Sequence, residues 1–460
     1  MAINIIMLNQ IIHGDCFEVL KDIPDNYFDS LISDPPAGIS FMNKDFDHNK
    51  GGMLNWINWL SEIMAECLRV MKPGACGLVW SLPRTSHWTG MALELAGFKI
   101  IDICHVAQGQ GFPKSQDIGK LLDKLAGEER EAIGLKIRPD GTQRPNYKNW
   151  GENDYLKGLA RNEYETAPAS PEAKLWDGWK TPALKPAIED WWLIQKPISE
   201  SSIARNILKH GVGGLNIEAT RINVGKDDPN NRINPTKSSD FHNVFGDGIG
   251  SGTSPRGPKE LGRYPANLIL SCGANCKGEN HSPDCPVSVI GEQSGFSVSS
   301  DRPRNNSDFK SVAKGKEYAH TTFGHSDMGT AARYFKQLPF DPETIQSIYY
   351  QAKASPSDRS NSGEIANTHP TVKSRHLMKY LITLITPENG TVLDPFCGSG
   401  TTAVACKELN RNYICIEKEK EYFDIACDRI SQPREYSETE LETMELKQPE
   451  FKQLSLFDVA

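Results

Sequence analysis

The sequence predicts an α/β fold, a doubly wound and mostly parallel sheet built from both ends of the chain around a long irregular insert. Three observations predict it. Short apolar runs alternate with amphipathic helices from Gln10 to about Pro113, and the same alternation returns from His369 to about Ser431. Between the two, Pro171 to Asn367 is rich in Gly, Pro, Asn and Ser, with few periodic segments. In "LDPFCGSGTTAVA", Leu393 to Ala405, a strand runs through a glycine-rich turn into a helix. Strands joined through helices lie parallel, because each crossover carries the chain back across the sheet.

Taken in order, "QIIHGD" and "SLISDPP" read as short buried strands. Trp56 to Met71 reads as an amphipathic helix closed by "KPGA". The strand "CGLVWSL", the helix "HWTGMALELAG" and the strand "FKIIDICHVA" complete a first α/β half over residues 8–113. Residues 114–170 start as a helix and then turn polar. Within 171–367 the ordered pieces expected are "EDWWLIQKP", "IARNILKHGVGGLNIE", "YPANLIL" and "IQSIYYQAKA", while residues 238–260 read as a mobile loop. Residues 368–431 form the second half: helix "SRHLMKYLITLIT", strand "TVLDPF", a glycine loop, helix "AVACKELN", strand "NYICIEK" and helix "EYFDIACDRI". The tail, 432–460, lacks an apolar stripe and is expected to be disordered.

Net charge is −8, which is no signature of a nucleic-acid partner, but the charge is uneven. From Arg434 to Ala460 there are three basic residues against seven acidic ones, whereas from Lys174 to Tyr264 there are thirteen against ten. A local groove in the middle can still hold DNA. The start of the chain lacks a basic leader, and no apolar run nears membrane-spanning length. The expectation is a cytoplasmic protein without a membrane partner. Eleven cysteines, an odd number, are then expected as thiols, so a tight Cys/His cluster reads as a metal site.

Two segments carry chemistry. In "SDPPAGIS" the apolar run stops at Asp34, and Pro35 and Pro36 make a rigid turn that lacks competing N–H donors. Asp34 and the prolyl carbonyls are thereby left at the strand's end as hydrogen-bond acceptors for a ligand. In the glycine loop a ligand can approach the backbone at a helix N-terminus. Glu417, 23 residues after Asp394, ends the next strand, where an acid can accept from ribose hydroxyls. A P-loop is excluded because no Lys precedes the Thr pair, and Gly-x-Gly-x-x-Gly is absent.

With "HGDCFEVLKDIPDNYFDSLISDPP" near one end and "THPTVKSRHLMKYLITLITPENGTVLDPFCGSGTT" near the other, the chain resembles the S-adenosylmethionine-dependent amino-methyltransferases of DNA. It is similar to their β group, in which the catalytic segment precedes the cofactor segment. The resemblance covers about residues 8–430 and implies a Rossmann-like methyltransferase sheet in permuted order, with 171–367 as target-recognition region. It implies that Asp394, Phe396, Gly398 and Gly400 line the methionine end of the cofactor, and that Glu417 holds its ribose. Asp15 and Cys16 would lie near the adenine, and His369, Thr371 and Lys373 would close over the methionyl group. The implied partner is double-stranded DNA, with the target base flipped into the site. An initial Asp in the catalytic turn points to N6 of adenine. The alternatives are N4 of cytosine and a DNA-binding homologue with impaired catalysis.

Ala37 departs from the family pattern, which has an aromatic ring here to stack on the flipped base. Losing a stacking platform costs about 1–3 kcal/mol. Trp80, at the end of "CGLVW", or Trp88 is the expected substitute, with Phe41 as a further aromatic nearby. In the insert, "RNILKHG", "RINVGK" and "TKSSDFH" offer groups suited to phosphates and base edges. Cys272, Cys276, His281 and Cys285 have the spacing Cys-x3-Cys-x4-His-x3-Cys, which predicts a structural zinc site. Finally, Gln453, Leu454, Ser455, Leu456 and Phe457 resemble the short peptide with which bacterial proteins dock on the replication sliding clamp.

Overall fold

The computed structural model describes residues 8–39, 47–108, 115–135, 164–222, 263–272, 276, 280–283, 285–298, 304–305, 321–322, 328–338, 369 and 372–431. The strands of three or more residues are β1 (Gln10–His13), β2 (Phe28–Ser33), β3 (Met71–Ser81), β4 (Lys99–Gln108), β5 (Ala132–Leu135), β6 (Tyr164–Thr166), β7 (Ile188–Gln195), β8 (Leu268–Ser271), β9 (Lys336–Leu338), β10 (Thr391–Asp394) and β11 (Asn412–Glu417). The first helices are α1 (Cys16–Lys21), α2 (Met53–Val70), α3 (Ser86–Leu95), α4 (Ile118–Ala126) and α5 (Pro171–Leu175). They are followed by α6 (Ile203–His210), α7 (Ile217–Thr220), α8 (Pro286–Ser294), α9 (Arg375–Ile385), α10 (Thr401–Glu408) and α11 (Lys420–Ser431).

Among the described residues nine strands join in one sheet, in the order β1-β11-β10-β2-β3-β7-β4-β8-β9. Every neighbouring pair is parallel except those made by β7, which runs against β3 and β4. From β10 the chain moves outward to β11, while from β2 it moves the opposite way to β3. The strand order thus reverses between β10 and β2 and opens a crevice at their carboxyl ends. Leu393 pairs with Leu31 there, so Asp394 ends its strand level with Ile32, two residues before Asp34 leaves the neighbouring one.

Alternation along the strands feeds two apolar layers. Leu31, Leu393, Ile414 and Ile416 face a layer with α1, α2 and α3. Ile32, Val392, Tyr413 and Cys415 face the other layer, with α9 and α10. Helices on both faces make the sheet doubly wound, as the sequence predicts. In α2 the buried residues are Trp56, Ile57, Leu60, Ile63, Met64, Cys67 and Val70, spaced three, four and seven apart on one stripe. The helix stops at Met71, whose backbone is extended ahead of Pro73.

The region read as an irregular insert supplies β7, β8 and β9 to this sheet. "IEDWWLIQ" can enter between two strands because Trp191 and Leu193 pack in one layer while Ile194 and Trp192 pack in the other. The expected pieces at 238–260 and 345–354 lie outside the described residues.

Residues 111–187 form a separate compact unit. Its organising group is Asp123, buried and accepting from the Ser170 amide (2.8 Å) and hydroxyl (2.7 Å), the Ala169 amide (3.2 Å) and Arg130 (2.5 Å). Among the described residues, no helix is long and apolar enough to cross a membrane.

Candidate active site

Asp34 and Trp80 stand at equivalent positions of adjacent parallel strands. Ser33 pairs with Val79, and each of the two residues comes next in its chain. Their side chains therefore leave the sheet together. Lys373 joins them from the far end of the sequence, with Nζ 3.0 Å from Asp34 Oδ2 and 4.0 Å from the centre of the Trp80 ring. Burial pushes the Asp34 carboxyl above the usual carboxylate range, Lys373 opposes this, and Glu189 and Asp47 add to the rise. Glu189, from β7, fixes the ring: it accepts from Trp80 Nε1 at 2.9 Å, while Gln108 donates to its other oxygen at 3.0 Å.

The turn after the prolines is held on two sides. Thr85 donates to the Ala37 carbonyl at 3.2 Å, and the amides of Gly38 and Ile39 donate to Asp47 at 2.8 and 3.3 Å. Gly38 has φ +70, and a Cβ there would lie 2.5 Å from Trp56 Nε1, so glycine is required. Trp56 in turn links Trp88 (5.8 Å) and Trp59 (6.2 Å), and Trp59 reaches Phe396 (6.0 Å). Trp88 thus belongs to a packed aromatic run, whereas Trp80 sits beside Asp34.

Across the crevice, Asp394 accepts from the Phe396 amide at 3.1 Å and from the Thr402 hydroxyl. Gly398 (φ +55) and Gly400 (φ +84) shape the loop. A Cβ at Gly398 would lie 2.9 Å from His369 Nε2, and one at Gly400 2.9 Å from Ala426 Cβ. The His369 ring stands edge-on to Tyr422 at 4.4 Å. Glu417 accepts from the Gly398 amide at 2.7 Å and the Glu419 amide at 2.8 Å. Buried Arg429 donates to the Ser399 carbonyl and, at 3.0 Å, to its hydroxyl, tying the loop to α11. Burial raises Asp394 to about 7, with Asp34 and Glu417 adding to the effect. Burial also raises Glu417 to about 6, against the pull of its amide donors.

At the adjoining edge β1 pairs with β11, setting His13 opposite Glu417. Asp15 caps α1 by accepting from the Phe17 amide at 3.0 Å and pairs with Lys418 at 3.0 Å. Burial alone would raise its carboxyl, but Lys418 and the amide outweigh that and lower it. Cys16 is buried, and desolvation pushes its thiol up to about 12.

The structure therefore gathers Asp34, Pro35, Pro36, Ala37, Trp80 and Lys373 on one side of the crevice and Asp394, Phe396, Gly398, Gly400 and Glu417 on the other. Thr371, Phe41 and the tail residues Gln453, Leu454, Ser455, Leu456 and Phe457 lie outside the described residues. Glu189, Thr85, Asp47, Trp59 and Tyr422 were not singled out from the sequence. Only the strand "EDWWLIQKP" hinted at Glu189, and nothing local to the others signals their contacts.

The model of the N6/N4 DNA methylase family matches residues 28–428. The chain belongs to this DNA methylase family. Over 71 residues it is 45% identical to the Type II methyltransferase M2.LlaDCHI of Lactococcus lactis subsp. cremoris, a match covering 15% of this chain and 26% of that protein. Over 62 residues it is 52% identical to the Type II methyltransferase M.HindIII of Haemophilus influenzae, covering 14% and 20%. Over 114 residues it is 32% identical to M.HinfI of the same species, covering 25% and 32%. The matched stretches thus span between a fifth and a third of these relatives' lengths. Among solved structures, the M1.HpyAVI complex with S-adenosylmethionine aligns at TM-score 0.35 and 17% identity, over 92% of this chain and 99% of that one. The PvuII cytosine-N4-specific DNA methyltransferase aligns at TM-score 0.38 and 11% identity, over 95% and 90%.

The cofactor of a DNA methylase of this kind is S-adenosylmethionine, and the residues present fit it. Asp394 lies within electrostatic reach of both the Asp34 and the Glu417 carboxylates, a setting that favours a cation. Two glycines leave the loop floor open where any Cβ would collide.

Proposed function

We propose that this DNA methylase transfers a methyl group to N6 of an adenine flipped out of double-stranded DNA. The choice of N6 rests on Asp34 as the opening residue of the turn, and the site itself on the contact of Lys373 with both Asp34 and Trp80. That contact unites the catalytic turn and the "HPTVK" element at the strand-order reversal. When bound, the cofactor supplies an electrophilic methyl on a positively charged sulfur. Asp394 and Glu417 would hold its methionine and ribose ends.

The chain's own work is to activate a weak nucleophile. Asp34 Oδ accepts one N–H of the exocyclic amine, and the carbonyl of Pro35 or Pro36 accepts the other, drawing the nitrogen towards tetrahedral geometry. Lys373 favours the ionised form of Asp34 until the base arrives. Burial raises the Asp34 carboxyl, which favours its accepting the proton that the methylated nitrogen must lose. The Lys373 ammonium occupies contacts that an amine and its ring would use, so the incoming base displaces it from the Trp80 face. Trp80, locked by Glu189, replaces the ring missing at Ala37.

A radiolabelled methyl-transfer assay with the native chain, Trp80→Ala and Ala37→Tyr tests this reading. The native chain is expected to methylate DNA, with Trp80→Ala weakening transfer by about 5- to 150-fold, the equivalent of 1–3 kcal/mol of stacking. An inactive native chain rescued by Ala37→Tyr would refute the relocated ring. The tail peptide is read as a clamp-docking element on its five residues alone. Clamp pull-down unaffected by deletion of the last eight residues would overturn that.

A further inference from the structure

Cys272, Cys276, His281 and Cys285 take no part in the methyl-transfer reading, yet the fold brings them together. Their ligand atoms all lie within 4.8 Å of one another. We propose that they hold one structural zinc ion, which bolts the end of β8 to the start of α8 and so secures the far edge of the sheet.

Geometry comes first. Zinc bonds of about 2.3 Å to sulfur and 2.0 Å to nitrogen give a tetrahedron with edges of about 3.5–3.8 Å. His281 Nδ1 lies 3.5 Å from Cys272 Sγ and 3.8 Å from Cys285 Sγ, at those edge lengths. One imidazole nitrogen thus faces two thiols, and an ion between them satisfies all three groups. Ser282 supports the remaining thiol: its amide donates to Cys276 Sγ at 3.4 Å, with its hydroxyl 3.6 Å away. Hydrogen bonds of this kind orient a ligand and spread its charge. Three thiolates and an imidazole are a soft, four-coordinate set with no position open for substrate, which suits structural zinc.

Packing supplies the reason such a bolt is needed. The Cys272 amide donates to the Leu338 carbonyl at 3.1 Å, extending the pairing of β8 with β9. Cys285 stands at the N-cap of α8, and Pro286 begins that helix. Among the described residues, the local apolar cluster buries Leu270, Cys285, Val287 and Ala332, with Leu268, Ile290 and Phe335 packed against them. An ion joining Cys272 to Cys285 would add directly to the stability that these side chains contribute against the entropy of ordering the chain. Metal binding couples directly to folding in such segments, and loading releases the protons of the thiols that are still protonated.

The test uses the full-length chain, purified under reductant without added metal. Elemental analysis is expected to find about one zinc per chain, released to a chromophoric chelator only after the thiols are mercurated. His281→Cys, which keeps four ligands, should retain that zinc, and His281→Ala should lose it. Ser282→Ala should weaken zinc affinity by about 10- to 100-fold. Chelation should raise hydrogen exchange in β8 and α8 while β2 and β10 stay protected. Zinc-free protein that takes up none from a zinc buffer, a different metal, or His281→Ala binding zinc as tightly as the parent would each overturn the proposal.

Discussion

At the scale of single residues the site is a set of carboxylates whose charge is managed by neighbours. Lys373 lowers an Asp34 carboxyl that burial raises. Lys373→Met should therefore raise Asp34 further and move the acid limb of the kcat/KM profile to higher pH. An unmoved limb would show that the pair does not set it. Asp394, raised to about 7, and Glu417, raised to about 6, obey the same rule. Because both lie above the ordinary carboxylate range, the stability tied to their protons is complete at low pH. It is lost as pH rises through these two values. A bound cation reverses the penalty, so calorimetry should show cofactor affinity rising through the same window, by up to about tenfold per pH unit for each proton released. Asp394→Asn should bind weakly with a flatter profile. Asp34, Asp394 and Glu417 were legible because each ends a strand at a position where acids do chemistry. Lys373 was legible only through family resemblance, and Glu189 only as part of the strand "EDWWLIQKP", since its contact depends on a register that no local pattern encodes.

At the scale of elements, periodicity carried most of the fold. The apolar stripe of α2, the buried runs of β2, β3 and β11, and the strand–loop–helix at Asp394 all match what their residues predict. The direction of β7 was not legible, because a strand buried on both faces reads the same whichever way it runs. The glycine loop gives the sharpest test here. Gly398→Ala places a side chain at φ +55 and a Cβ 2.9 Å from His369. Strain of about 1–2 kcal/mol from the backbone alone should shift the loop. Cofactor affinity should fall by about tenfold or more, while far-ultraviolet circular dichroism stays native. Unchanged affinity would mean that the loop does not form the cofactor floor.

At the scale of the whole molecule, the two ends of the chain make one sheet. The hydroxyls of Ser30 and Thr386, buried and 356 residues apart, lie 2.8 Å from each other, and Asp29 accepts from the Thr391 amide at 2.8 Å. Ser30→Ala or Thr386→Val orphans a buried partner and should cost about 1–3 kcal/mol. The double variant should cost less than the sum, as denaturant titration can measure. Strict additivity would deny the contact. This joining of distant segments is not written in any window of sequence, and only the order of motifs revealed it. The central claim, that the joined site methylates N6 of adenine, is tested most directly by one measurement. DNA treated with the purified chain and labelled S-adenosylmethionine is digested, and its nucleosides are separated. The account predicts labelled N6-methyldeoxyadenosine, reduced by about 100- to 1,000-fold in Asp34→Ala. Label in N4-methylcytosine, or no label in DNA at all, would contradict it.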